Sequence, residues 1–217
     1  MDLDSEALRE VVLKVGYHRG QVQVDGSDGC DFLRRELACY RILAGRGLDR
    51  MTPALVDALD LPRKVILVLE YIDGVSLLHR KLAGQLTVEV LDRAWRMIGE
   101  FHAAGVYLGD AKLANFLVTA ENDLRAVDFE AAGVLGDRAP AIRTFILADE
   151  PGDPRPADRA HFLASVLYPY DTGRSSWADR HIDLRDWLGR EPADDVSAWA
   201  LDKLRDLPPG GCPIVTT

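Results

Sequence analysis

The sequence has few cysteines, no long hydrophobic run and no excess of positive charge, and each absence excludes a class of protein. Its three cysteines are Cys30, Cys39 and Cys212, and none has the Cys-x-x-Cys spacing of zinc sites. An odd number without that spacing argues against a disulfide framework or a zinc site and favours a reducing cytoplasm. No apolar run approaches the roughly 18 residues of a membrane-spanning helix.

Acidic residues exceed basic ones: the chain has 35 aspartates and glutamates but only 26 lysines and arginines, which gives a net charge of −9. Nucleic-acid and membrane surfaces favour basic partners, so we expect neither direct nucleic-acid binding nor membrane association. A local basic patch is still compatible with this balance. The acidic first six residues also differ from a signal or transit peptide, which supports a cytoplasmic location.

Apolar residues make up 47% of the 217 residues, enough for a sizeable core. Hydrophobic spacing predicts a strand-rich N-terminal part and a mostly helical C-terminal part. The strand at 63–71 is a continuous apolar run, which indicates burial on both faces. The other predicted strands are 11–15, 116–118 and 125–127, and the predicted helices are 31–44, 87–104, 157–167 and 196–204.

The segment that carries chemistry begins at Asp110, with Lys112 two residues later and Asn115 five residues later. Asp128 and Phe129 follow a predicted hairpin. Phosphoryl transfer requires strict placement of charge more than covalent help from the protein. One carboxylate must orient the attacking hydroxyl or water, while an amide oxygen and a second carboxylate hold Mg²⁺. A hairpin between Asn115 and Asp128 would bring the last two groups together.

This pattern resembles the catalytic loop and the metal-binding triplet of protein kinases. The resemblance implies that Asp110 is the catalytic base or orienting group and that Lys112 neutralises the transferring phosphoryl group. It implies that Asn115 and Asp128 are the magnesium ligands and that ATP is the phosphate donor.

Further positions resemble the same family. Lys14 matches the strand lysine that binds the nucleotide phosphates, and Glu36 matches its helix partner, although a Glu36 that reaches water instead is the alternative. Glu70 and Ile72 lie in a segment that resembles the hinge that binds adenine. Asp158 resembles the aspartate that braces the catalytic loop. An ordinary helix N-cap is an equally favoured alternative role for this residue.

Four departures from the family pattern are informative. Only 13 residues precede Lys14 and none is glycine, so no glycine-rich phosphate loop precedes it and the family's first two strands would be missing, shortened or replaced. Weak nucleotide affinity, or a partner that completes the lid, would be the consequence. Leu108 and Gly109 replace the usual His and Arg, so no arginine is present to bind a phosphorylated activation loop. Glu130 replaces the glycine of the triplet, and no Ala-Pro-Glu precedes Asp158, which argues against a platform for extended peptides.

The Gly-Asp pair is similar to the pattern of RIO-type kinases, the kinase subunit of the KEOPS complex, lipopolysaccharide-core kinases and aminoglycoside phosphotransferases. The expected fold class is therefore α+β, a minimal two-lobed protein-kinase-like fold with a reduced N-terminal lobe. Residues 1–72 would form that lobe, 73–207 the helical catalytic lobe and 208–217 a flexible tail.

The resemblance implies an ATP- and Mg²⁺-dependent phosphotransferase, either an atypical serine/threonine protein kinase or an ATPase that depends on a partner subunit. The phosphate acceptor is unknown and could be a protein. A small-molecule phosphotransferase of the aminoglycoside type is one alternative, although that branch more often carries a histidine where this chain has Lys112. A pseudokinase that binds nucleotide without turnover is the other.

Overall fold

The computed structural model describes residues 10–20, 27–137, 153–168, 184 and 186–207, and the backbone alone of 146–147, 181–182, 185 and 214–216. Within these ranges the chain is a mixed α+β protein with five α-helices and several small antiparallel sheets, in agreement with the predicted class. Cys212, residues 1–9 and most of the predicted tail lie outside the described residues.

The first sheet contains β1 (Val11–Tyr17), β2 (Leu55–Leu61) and β3 (Lys64–Glu70), in the order β1-β3-β2 and antiparallel throughout. Burial along β3 alternates: Val65, Leu67 and Leu69 are buried, and the residues between them are half-buried. The expectation that both faces of this strand are buried is therefore wrong. An antiparallel sheet needs cover on one face only, and its apolar outer residues stay partly exposed.

Helix α1 (Gly29–Gly45) packs on the inner face of this sheet. Asp28 begins it, because its carboxylate accepts hydrogen bonds from the amides of Cys30 and Asp31. Gly16 of β1 lies against this helix start, and a Cβ on Gly16 would lie 2.1 Å from the carbonyl oxygen of Gly29. A side chain at position 16 would thus separate the strand from the helix.

Most residues of the remaining described elements are helical, although the strands are more numerous, and the helix α3 shows clear terminal signals. Thr87 caps its first turn through the amide of Val90, and Gly105 follows its last turn with a φ of 91°. The elements in order are β4 (Gly74–Ser76), α2 (Leu77–Leu82), α3 (Val88–Ala103), β5 (Val106–Tyr107), β6 (Phe116–Thr119), β7 (Leu124–Ala126), β8 (Gly133–Val134), β9 (Ile146–Leu147), α4 (Arg155–Leu167), β10 (His181–Ile182), α5 (Asp195–Arg205) and β11 (Ile214–Thr216).

Short strand pairings connect these elements. The hairpin β6–β7 adds β4 on its other side, and β5 pairs with β8. Within the predicted tail, β11 pairs with both β9 and β10.

One continuous apolar core joins the first sheet and α1 to helices α3, α4 and α5. Phe129 lies at its centre, fully buried, with its ring 5.1 Å from that of Tyr40 on α1 and 5.8 Å from that of Phe101 on α3. Cys30 and Cys39 are free and buried in the same core, and burial raises the pKa of the Cys39 thiol to about 12. No described helix has the length and hydrophobicity needed to cross a membrane.

Candidate functional site

The β6–β7 hairpin brings the two halves of the sequence motif together. Asn115 ends a 3₁₀ turn (Leu113–Asn115) directly before β6, and Asp128 follows β7. The amide of Val127 donates to the carbonyl oxygen of Asn115 over 2.8 Å. Asp128 has a φ of 63°, and its side chain is 46% exposed, whereas Phe129 beside it is fully buried.

Lys14 joins β1 and α1 to this hairpin. Its Nζ lies 2.9 Å from Oε1 of Glu36 and 2.9 Å from Oδ1 of Asp128. Glu36 is fully buried and also accepts a hydrogen bond from the Tyr40 hydroxyl over 3.3 Å. Glu36 therefore points into the molecule toward a cation and does not reach water.

Burial and neighbouring charge shift the pKa values of Lys14 and Glu36 in opposite directions. Burial disfavours a charged Lys14, but the carboxylates of Glu36 and Asp128 outweigh it and raise the lysine pKa. Burial raises the pKa of Glu36, and Lys14 opposes that shift. Lys14 is therefore a firmly protonated cation shared between two carboxylates.

Asp110 lies in a second cluster with the other two loop residues. Lys112 Nζ donates to Asp110 Oδ2 over 2.5 Å, and Asn115 Nδ2 donates to the Asp110 carbonyl oxygen over 2.9 Å. Asp110 Oδ1 is buried and has no hydrogen-bond partner among the described residues. His161 Nδ1 lies 3.6 Å from it, and burial lowers the pKa of this histidine, which keeps the ring neutral. Oδ1 of Asp110 therefore faces His161 inside the molecule, and Oδ2 is the oxygen that binds Lys112.

Asp158 holds the loop that precedes Asp110. Its carboxylate accepts the amides of Leu108 (2.6 Å) and Gly109 (2.7 Å) and lies 2.9 Å from His102 Nε2. The helix N-cap is Pro154, so of the two readings of Asp158 the structure agrees with the loop brace. Gly109 has a φ of 70°, and a Cβ there would lie 2.2 Å from the carbonyl oxygen of Ala131, which leaves no space for a side chain.

Glu70 and Ile72, the predicted hinge residues, have no described contact with Lys14 or Asp128. Glu70 Oε2 accepts the amide of Ala54 over 3.0 Å and lies 4.0 Å from Arg125, while Ile72 is buried. Their assignment to adenine binding stays a prediction.

No family model matches the chain. It is 30% identical over 146 residues to the probable SapB synthase of Streptomyces coelicolor, an alignment that covers 59% of this chain and 15% of that protein. It is 38% identical over 71 residues to the probable bifunctional tRNA threonylcarbamoyladenosine biosynthesis protein of Methanospirillum hungatei, which covers 33% of this chain and 12% of that protein. The chain therefore spans only a small part of either relative.

Two residues of α4 support the candidate site but were not singled out as such from the sequence. Ser165 Oγ accepts the amide of Leu113 over 3.1 Å and donates to the Phe162 carbonyl oxygen, and His161 faces Asp110. With Asp158 they occupy positions i, i+3 and i+7 of α4. Polar residues at that spacing share one face, a signal that could have revealed the contact with the loop.

Asn115 and Asp128 are the described residues best suited to a metal ion at this site. Asp128 Oδ2 forms no hydrogen bond with the described residues, whereas Oδ1 binds Lys14. The described part of the chain contains no group of three or more His, Cys, Asp or Glu residues that could hold a metal. Mg²⁺ commonly takes one or two carboxylates together with substrate phosphates, so this donor set suits a metal that arrives with a nucleotide.

Proposed function

We propose that the chain is an ATP- and Mg²⁺-dependent phosphotransferase with a minimal two-lobed protein-kinase-like fold. Residues 1–72 would form the smaller lobe, 73–207 the helical lobe and 208–217 the tail. The observation that carries the proposal is Lys14, which lies 2.9 Å from both Glu36 and Asp128 although the three residues come from distant parts of the sequence. A lysine–glutamate pair and a metal-binding aspartate in place together are what phosphoryl transfer by protein kinases requires.

Each residue has a role that follows from its position. Lys14 would bind phosphate oxygens of ATP, oriented by Glu36. Asp110 would accept the proton of the acceptor hydroxyl, and Lys112 would neutralise the transferring phosphoryl group. Asn115 and Asp128 would hold Mg²⁺, which neutralises charge on the phosphates when bound.

The acceptor is proposed at the level of class: a serine or threonine hydroxyl of a protein, or water in an ATPase that works with a partner. The partial likeness to a tRNA modification protein and to a synthase is compatible with a nucleotide-using enzyme. A cytoplasmic location belongs to the same proposal.

A partner that completes the smaller lobe is supported by the edge of the first sheet. β1 is an edge strand, and no described strand pairs with its other side. Leu13 and Tyr17 on it are 60% and 55% exposed. An apolar edge strand of this kind favours pairing with another chain.

The test measures Mg-ATP binding by calorimetry and phosphate release or transfer by the purified protein, with and without candidate partners. Wild-type protein should bind and turn over ATP, Lys14→Met should lose most of both, and Lys203→Met on α5 should match wild type. Binding without turnover under every condition would support the pseudokinase alternative. Transfer to an aminoglycoside hydroxyl and to no protein would support the small-molecule alternative, and absence of binding would refute the proposal.

A further inference from the structure

A cleft of about 510 Å³ lies between α3, the 3₁₀ turn Asp49–Met51 and the β6–β7 hairpin. Its lining includes four arginines, Arg50, Arg93, Arg96 and Arg125, against two carboxylates, Glu100 and Asp123. Such a concentration of positive charge is unexpected in a chain of net charge −9. None of the residues assigned to the nucleotide site lines it, although Arg125 in its lining lies 4.0 Å from Glu70, the predicted hinge residue.

Three of these arginines have no carboxylate partner within 4.0 Å in the part of the chain that the structure describes. Arg93 donates to the side chain and the carbonyl oxygen of Asn122, over 3.3 and 2.6 Å, and Arg96 donates through Nε to the carbonyl oxygen of Asp92. Arg50 has no described hydrogen bond. Carbonyl and amide oxygens orient a guanidinium without neutralising its charge, so the cleft keeps an excess of positive charge.

Arg125 differs because its side chain is largely enclosed. It donates to the carbonyl oxygen of Thr52 over 3.2 Å and lies 4.0 Å from Glu70, while its buried Nε has no hydrogen-bond partner among the described residues. A buried guanidinium N–H without an acceptor is costly. Because that Nε is buried, an anion in the cleft would meet only the exposed 20% of the Arg125 side chain.

We propose that this cleft binds a small phosphate-bearing molecule. Guanidinium groups bind phosphate oxygens through paired, charge-assisted hydrogen bonds, and three of the four arginines have no carboxylate partner among the described residues. The volume is in the range of small-molecule sites, about 300–1,000 Å³. A small ligand fits better than a nucleic-acid strand, because a net charge of −9 repels a long polyanion outside the cleft.

The experiment titrates inorganic pyrophosphate into the full chain by calorimetry in magnesium-free buffer. The Lys14→Met background removes the lysine that would bind phosphate at the nucleotide site. We expect saturable one-site binding that weakens by about tenfold or more in Arg50→Gln/Arg96→Gln, since each lost charge-assisted hydrogen bond is worth roughly that factor. The matched control, Arg190→Gln/Arg205→Gln, removes two exposed arginines outside the cleft and should keep the background affinity within about twofold.

Thermal melting checks that both double variants are folded. Absence of pyrophosphate binding, or equal loss in the two double variants, would overturn the proposal. Tighter binding of a short single-stranded RNA than of pyrophosphate, lost in Arg50→Gln/Arg96→Gln, would overturn the small-ligand assignment in favour of a nucleic-acid surface. Pyrophosphate binding to the cleft is measured in a Lys14→Met background. Failure of this proposal can therefore be distinguished from failure of the proposed phosphotransferase activity.

Discussion

At the scale of single residues, the backbone at position 109 is the sharpest constraint on the catalytic loop. Gly109 combines a φ of 70° with a carbonyl oxygen only 2.2 Å from where a Cβ would lie. Its amide is also one of the two that Asp158 binds. The loop can therefore approach residue 131 only if this position carries no side chain.

Gly109→Ala should lower the free energy of unfolding by about 2–4 kcal/mol, from the left-handed conformation and the clash together. Urea denaturation measures the difference. Gly45→Ala is the matched control, because nothing lies within 4 Å of a Cβ there, and it should stay within about 1 kcal/mol of wild type. Equal stability of Gly109→Ala and wild type would show that the loop relaxes freely.

A second residue-scale prediction separates the two aspartates. Asp128→Ala should abolish Mg-dependent nucleotide binding as well as turnover, because it removes the proposed metal ligand. Asp110→Asn should keep most Mg-ATP affinity while turnover falls by roughly 10²-fold or more, the usual effect of losing one positioned acid–base group. Calorimetry and steady-state kinetics on the same preparations, with melting curves as the folding control, give both quantities.

The reverse result would place the motif on the wrong residues. If Asp110→Asn bound no nucleotide while Asp128→Ala bound it normally, the proposed roles would have to be abandoned. If neither variant altered turnover because wild type had none, the pseudokinase alternative would be preferred.

At the scale of elements, the sequence predicted those helices and strands whose patterning is strong. The apolar face of α3 between Thr87 and Gly105, and the β-branched run of β1, appear close to the expected bounds. β2 escaped prediction because Leu-Val-Asp-Ala-Leu-Asp-Leu mixes apolar and acidic residues and remains largely exposed. Its strand conformation comes from pairing with β3, a tertiary contact that local patterning does not record.

In the candidate site, too, the sequence predicted what local spacing determines and missed what depends on tertiary packing. The spacing of Asp110, Asn115 and Asp128 around a hairpin pointed to one location, and the inward-facing Glu36 pointed to Lys14. The contact of Asp110 with α4 and the cluster of arginines around α3 depend on how distant elements pack, so the sequence did not reveal them.

The ion pair between Lys14 on β1 and Glu36 on α1 leads to a prediction about how stability depends on pH. In Lys14→Met the buried Glu36 loses its cation, so its pKa should rise further above the ordinary value. A carboxyl whose pKa is higher in the folded state binds its proton more tightly there, so stability falls as pH rises above about 4.5. We expect Lys14→Met to be less stable than wild type by about 2–4 kcal/mol at pH 8 and by clearly less at pH 5.

Urea denaturation at the two pH values measures this difference. Lys14→Met/Glu36→Gln provides the control, because a neutral amide has no proton to lose and the added pH dependence should disappear. A pH dependence that persisted in the double variant would assign the effect to another group.

At the scale of the whole molecule, the described chain has a well-covered interior and one poorly covered surface. The core runs without interruption from α1 to α5, whereas the first sheet keeps apolar side chains in solvent on two of its strands. These side chains are Val11, Val12, Leu13, Val15 and Tyr17 on β1 and Val56, Leu59 and Leu61 on β2. Exposed apolar surface beside a free strand edge favours association.

We therefore expect the chain to self-associate as its concentration rises in the absence of a partner. Leu13→Lys should shift that equilibrium toward the monomer, because Leu13 is 60% exposed on the edge strand and a lysine there opposes edge pairing. Sedimentation velocity over a range of concentrations measures the shift. Leu82→Lys is the matched control: Leu82 is 51% exposed at the end of α2, away from the sheet, and the same charge change there should leave the equilibrium unaltered. An equal response in both variants would indicate a general effect of charge, and a monomer at all concentrations would show that the edge is not an association surface for this chain.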